Sequence, residues 1–100
     1  MTKATAVIKR DGAEERRVEL PDAGSWPIFI GSASDCAIRL DAPGIAERQA
    51  RLDWASNHIF LTLLAPGPVS ANDEPLAVGA ETRVDFTPFR AGQFTVRIDY

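Results

Sequence analysis

The sequence predicts an all-β domain, a sandwich or barrel of short strands. Three observations carry this. Apolar and polar residues alternate with period two along most of the chain, turn-forming residues interrupt the alternation at short intervals, and no window offers a helix-length apolar stripe with caps. The 100 residues are too few to be divided between two cores, so residues 1–100 are expected to form one domain, of the size of a module cut from a longer protein.

Ala4 to Lys9 and Arg16 to Leu20 flank Asp11-Gly12, a pair that tolerates positive φ, and read as an opening hairpin. Pro21 to Ser25 is a loop by composition. Pro27 can stand only at an edge or a strand start, so a strand begins at Ile28-Phe29-Ile30 and ends at Gly31. Ile38 and Leu40 alternate with Ala37 and Arg39, and Asp41 to Gly44 supplies the next turn. Ala50, Leu52 and Trp54 share one face against Arg51 and Asp53, which places Trp54 in the core. After the Ser56-Asn57 turn, His58 to Leu64 is apolar at nearly every position, the pattern of a strand covered on both sides. His58 itself is expected at the surface.

Pro66 and Pro68 lack donors and stiffen a loop before the short strand Val69 to Ala71, which Asn72-Asp73 turns. Thr82, Val84 and Phe86 share a face, as do Phe94, Val96 and Ile98, with Pro88 to Gly92 as the connection between them. Leu52, Trp54, Leu61, Val84, Phe94 and Val96 are therefore expected to be buried, and Arg51, Asp53, Arg83 and Arg97 exposed.

Composition removes several functions. A net charge of -3 opposes generic attraction to nucleic acid, and the early bases Lys9, Arg10, Arg16 and Arg17 are interleaved with Asp11, Glu14, Glu15 and Glu19. Cys36 stands alone, which excludes an intrachain disulfide and a cysteine zinc cluster and suits a reducing, cytoplasmic location. No apolar run is long enough for a membrane helix, so direct membrane insertion is not expected. With one His, one Cys and no catalytic spacing, the sequence carries no sign of an enzyme. It carries none of a metal site or a cofactor either.

The stretch from Gly31 to Leu52 resembles the forkhead-associated (FHA) domain. Gly31 matches a glycine that closes a strand, Ile38 and Leu40 an Ile-x-Leu strand, Pro43 a turn, and Ala50 and Leu52 the apolar end of that family's second motif. Downstream, Asn72-Asp73 falls where the family has its second Asn-Gly pair. The resemblance implies an FHA-like (SMAD/FHA) β-sandwich of two antiparallel sheets that binds a protein partner. The loops implied to touch the partner hold Gly31, Ser32, Ser34, Ala46, Glu47, Arg48, Gly67 and Asn72.

The departures bear on function. In the family an arginine, a serine and an asparagine hold phosphothreonine and its backbone, and here those positions are Ser32, Ala46 and Gly67. Glu47 replaces a neighbouring arginine, and Gln49 replaces a structural histidine. A charge-assisted hydrogen bond contributes about 1.5–3 kcal/mol, and about 1.4 kcal/mol is tenfold in affinity. Losing two or three such bonds would turn a micromolar reader into a millimolar one. The resemblance so altered implies a phosphorylation-independent interaction module, of a kind used in bacterial signalling, scaffold or secretion assemblies. The alternative is a phosphopeptide reader in which Arg48, or Ser32 and Ser34, takes over the phosphate and Asn72 holds the peptide backbone. The partner is a protein, of another kind or a second copy of the chain.

Overall fold

The computed structural model describes residues 3–100. In chain order these form β1 (Thr5–Arg10), β2 (Glu15–Glu19), a 3-10 turn (Ala23–Ser25), β3 (Ile28–Gly31), β4 (Ile38–Arg39), β5 (Ala50–Ala55) and β6 (His58–Leu63). They continue through β7 (Val69–Ala71), β8 (Glu74–Pro75), β9 (Glu81–Arg83), β10 (Phe89–Ala91) and β11 (Phe94–Asp99). Gly12 takes a φ of 78° and closes the β1–β2 hairpin, in which Val7 faces Arg17. Two sheets result, one ordered β2-β1-β11-β10-β7-β8 and the other β4-β3-β5-β6-β9.

The chain is all-β and the sheets pack face to face, because the alternating residues of each strand must leave water on one side. Ile8, Val96, Ile98 and Phe89 from the first sheet meet Ile30, Leu52, Ile59 and Leu61 from the second in one core. Leu52, Leu61, Val84, Phe94 and Val96 are buried as the alternation predicts. The strand pairs are antiparallel with one exception: β4 runs parallel to β3, with Ile30 beside Ile38. β4 lies beside the last two residues of β3, since Gly31 pairs with Arg39.

Other elements differ from their sequence pattern for identifiable reasons. Strand β6 has neighbours on both edges, β5 and β9, but only one covered face, since Ile59, Leu61 and Leu63 are buried while Phe60 and Thr62 are half-buried. Phe89 to Ala91 is a strand, not a connection, and pairs with both β7 and β11. Pro88 and Gly92 stand just outside it, where their lack of a donor or a side chain costs the ladder nothing. Arg51 and Arg97 are half-buried because each lies along its own strand face against the carboxylate two residues on, Asp53 at 2.9 Å and Asp99 at 2.8 Å.

Thr82 to Phe86 is not a continuous strand. β9 ends at Arg83, the chain crosses toward the first sheet, and the Phe86 amide donates to the Ile98 carbonyl at 3.0 Å. This turn leaves Phe86 at φ 59° and 52% exposed. Trp54 is half-buried, set edge-on to Trp26 at 5.0 Å between ring centroids and tilted against Tyr100 at 5.1 Å. Tyr100 in turn stacks on Phe86 at 4.6 Å, so an aromatic row closes this end of the sandwich. Beside the row, buried Asp85 accepts from Arg83 Nε at 2.8 Å and Nη2 at 3.0 Å, and from the Ile59 amide at 3.4 Å. The paired guanidinium holds the Asp85 carboxyl well below the usual range. His58, expected at the surface, is half-buried with Nδ1 3.5 Å from Asp85 Oδ2.

Candidate functional site

The register gathers three loops at the pole opposite the aromatic row. Ile30 pairs with Ala50 and Ala50 with Leu63, so β3 ends where β5 begins and β6 ends. Residues 32–37, 40–49 and 64–68 therefore leave the second sheet together.

Backbone bonds tie these loops. The Ser32 amide donates to the Ala46 carbonyl at 3.0 Å and the Ala33 amide to the Glu47 carbonyl at 3.2 Å. The contact is possible because residue 31 has no side chain: a Cβ on Gly31 would stand 2.8 Å from the Ala46 carbonyl oxygen and closer still to that of Glu47. The Cys36 thiol donates to the same Glu47 carbonyl at 3.2 Å. Burial first, then the negative charge of Asp35, push that thiol up, which disfavours the thiolate and suits a packed side chain.

Gln49 joins the second loop to the third. Its side chain is wholly buried, its Oε1 accepts from the Ala46 amide at 2.9 Å and its Nε2 donates to the Ala65 carbonyl at 2.6 Å. Gly67 lies against it, where a Cβ would meet Gln49 Nε2 at 2.6 Å and Oε1 at 2.8 Å. Sequence reasoning registered Gln49 only as a missing histidine. A glutamine immediately before a strand reads as polar surface, and nothing local signals that it is the clamp between two loops.

Gly31, Ser32, Ala46, Glu47 and Gly67 are thus brought together through direct contacts or through Gln49. Asn72 is set apart. It begins the β7–β8 turn at φ 53°, and since Ala71 pairs with Phe89 and Val69 with Ala91, it lies at the other end of β7 from Gly67 and Pro68. Its turn conformation accounts for the asparagine without a ligand. Ser34 is exposed in the first loop.

Arg48 reaches across the gathered loops to Asp35 of the first loop and to Phe29. Its guanidinium bonds Asp35 Oδ2 at 2.6 Å and lies 4.5 Å from the Phe29 ring, which is on the outer face of the second sheet between buried Ile28 and Ile30. Its partner is Asp35, not the adjacent Glu47. Arg39 Nε donates to the Ser32 carbonyl at 3.1 Å, so Arg39 and Arg48 are each held by protein acceptors at the loops, and the amides of Ser32, Ala33 and Ala46 are already bonded there. Such an arrangement offers shape, carbonyl oxygens and small side chains to a partner. Among the described residues no group of His, Cys, Asp and Glu could hold a metal ion, and no helix is long and apolar enough to cross a membrane.

No protein-family model matches the sequence, and no curated protein matches it. Solved structures do. An FHA domain studied for its phosphothreonine-dependent interactions is 21% identical, with 99% of this chain and 97% of that one covered at a TM-score of 0.75. The FhaA FHA domain, solved complexed with the intracellular domain of Rv3910, is 20% identical, with 95% and 98% covered at a TM-score of 0.74. The yeast Dun1 FHA domain, solved in complex with a doubly phosphorylated peptide derived from Rad53, is 17% identical, with 98% and 74% covered at a TM-score of 0.79. The chain has the FHA β-sandwich fold, as the spacing from Gly31 to Leu52 implies.

Proposed function

We propose that the chain is a non-catalytic protein-interaction module that engages its partner through the gathered loops without reading phosphothreonine. It would act as one part of a larger cytoplasmic signalling, scaffold or secretion assembly. Its structural neighbours are interaction domains, which supports the class. The observation that carries phosphorylation independence is the chemistry of the loop pole. By the sequence resemblance, Ser32, Ala46 and Gly67 take the positions whose family counterparts hold the phosphate and its backbone, and the adjacent Arg48 is held by Asp35 and the Phe29 ring.

Phosphopeptide reading by Arg48 is disfavoured by neighbouring negative charge more than by the energy of its ion pair. An exposed ion pair such as Arg48–Asp35 contributes only about 0.2–1 kcal/mol. A phosphate that displaced Asp35 would sit at the first loop beside the Phe29 ring, with the carboxylates of Asp35 and Glu47 as like-charged neighbours. The test is a degenerate phosphothreonine peptide library and its unphosphorylated twin, each titrated by fluorescence anisotropy. Equal, weak responses are expected. A phospho-selective response in the micromolar range would overturn the reading.

A further inference from the structure

The sandwich has a cleft of about 370 Å³ on one side, where the β1–β2 hairpin at the edge of the first sheet overhangs β4 at the edge of the second. Ile8 and Phe94 form its base, and Arg10, Arg16 and Arg39 stand around it with Glu14 and Asp41. Arg16 Nη2 spans the two sheets by donating to the Arg39 carbonyl at 2.8 Å.

The arginines of this cleft differ from the rest. From Arg17 to Arg97, every other arginine, Arg39 included, has a carboxylate oxygen at 3.6 Å or less. Arg10 and Arg16 have none among the described residues. Arg10 Nε donates to Gln93 Oε1 at 3.2 Å and its guanidinium lies 5.5 Å from the Phe94 ring, which fixes the fork while neither terminal nitrogen has an acceptor among the described residues. Arg16 has Nε and Nη1 left over in the same way. A guanidinium is always charged and has five donors in a fixed plane, a shape matched to a carboxylate or a phosphate. Two forks held in one cleft, with donors unspent, are a binding site for an oxyanion.

We propose that this cleft binds a carboxylate side chain of an acidic, unphosphorylated segment of a partner protein. The charge balance favours carboxylate over phosphate. Three arginines face Glu14 and Asp41, an excess suited to one negative charge, and the two acids repel a dianion. The apolar base contributed by Ile8 and Phe94 suits an apolar residue beside the acid. This rests on the reading of the chain as a protein-binding module and adds where, and by what chemistry, a partner is held.

The probe is a capped pentapeptide alternating leucine and glutamate, titrated into the nitrogen-15-labelled chain while the arginine Nε–H and backbone amide signals are followed. Saturable shifts are expected at Arg10, Arg16 and Arg39, with affinity falling several-fold as salt rises from about 50 to about 300 mM. A twin with glutamine for glutamate should give none. Arg10→Gln with Arg16→Gln should weaken binding about tenfold or more, whereas Arg97→Gln should leave it unchanged. Glu14→Gln, which removes a repelling charge and no packing, should tighten it. Equal shifts from the glutamine twin, inorganic phosphate binding these residues more tightly than the peptide, no effect of the double substitution in a chain with a native spectrum, or no gain from Glu14→Gln would each overturn the proposal. The two readings fail separately. A phosphothreonine peptide shifting residues 46–49 would overturn the proposed function alone, and a glutamate peptide that leaves Arg10 and Arg16 unmoved would overturn this site alone.

Discussion

The two poles of the sandwich are closed by different means. At the loop pole the ties are backbone bonds, from Ser32 to Ala46 and from Ala33 to Glu47, together with one buried carboxamide, Gln49. At the opposite pole they are side chains, the row of Trp26, Trp54, Tyr100 and Phe86 and the buried Asp85. Backbone ties constrain where the loops lie and leave the side chains at the tips free to vary. A pole closed by side chains has no such freedom. Replacing a residue there removes the tie itself.

Glycine substitution separates the poles most sharply. Gly31→Val puts a branched side chain against two carbonyls that cannot withdraw without breaking the ties to Ser32 and Ala33, and should cost about 3 kcal/mol or more. Gly24→Ala, in the 3-10 turn where a Cβ would meet nothing within 4 Å, should stay within about 0.5 kcal/mol. Denaturant midpoints at constant slope measure both, and a neutral Gly31→Val would remove the main anchor of the loop pole.

At the aromatic pole, Asp85→Ala should cost about 2–3 kcal/mol, because the Ile59 amide and the Arg83 guanidinium lose their acceptor. The same group sets a pH dependence. Its folded-state pKa is depressed, so its stabilisation is complete above the ordinary carboxylate value and is lost as pH falls below about 4. Asp85→Asn should therefore flatten the acid side of the stability profile, and an unchanged acid slope would contradict the assignment. Gln49→Ala should cost about 2 kcal/mol by stranding the Ala46 amide and the Ala65 carbonyl, with amide exchange accelerating in residues 64–67 and not around Asp85. Uniform acceleration would mean that the two poles are not separable.

Most of the sandwich was legible from alternation, since Leu52, Leu61, Val84, Phe94 and Val96 lie inward as their spacing demands. What escaped was non-local. Phe89 to Ala91 is a strand because β7 and β11 bracket it, and nothing within Pro88 to Gly92 says so. Trp54 carries the spacing of a core residue but stands at the sandwich's end, where it packs against the margin of the core and against other rings and is only half-buried. At the loop pole the spacing located Gly31 and Ala46, whereas the coupling of Gln49 to Gly67 needed coordinates. That coupling sets a limit: with the Gln49 carboxamide in this position, residue 67 has no room for a Cβ.

Reinstating phosphate chemistry must therefore change both partners of that contact. Calorimetry of one phosphothreonine peptide and its unphosphorylated twin, against the wild-type chain and against Ser32→Arg, Ala46→Ser, Glu47→Arg, Gln49→His and Gly67→Asn combined, tests the account most directly. The wild type should not distinguish the peptides, and the folded variant should gain a phosphate preference that weakens with salt. A micromolar, phospho-selective wild type, or a folded variant with no preference, would contradict it.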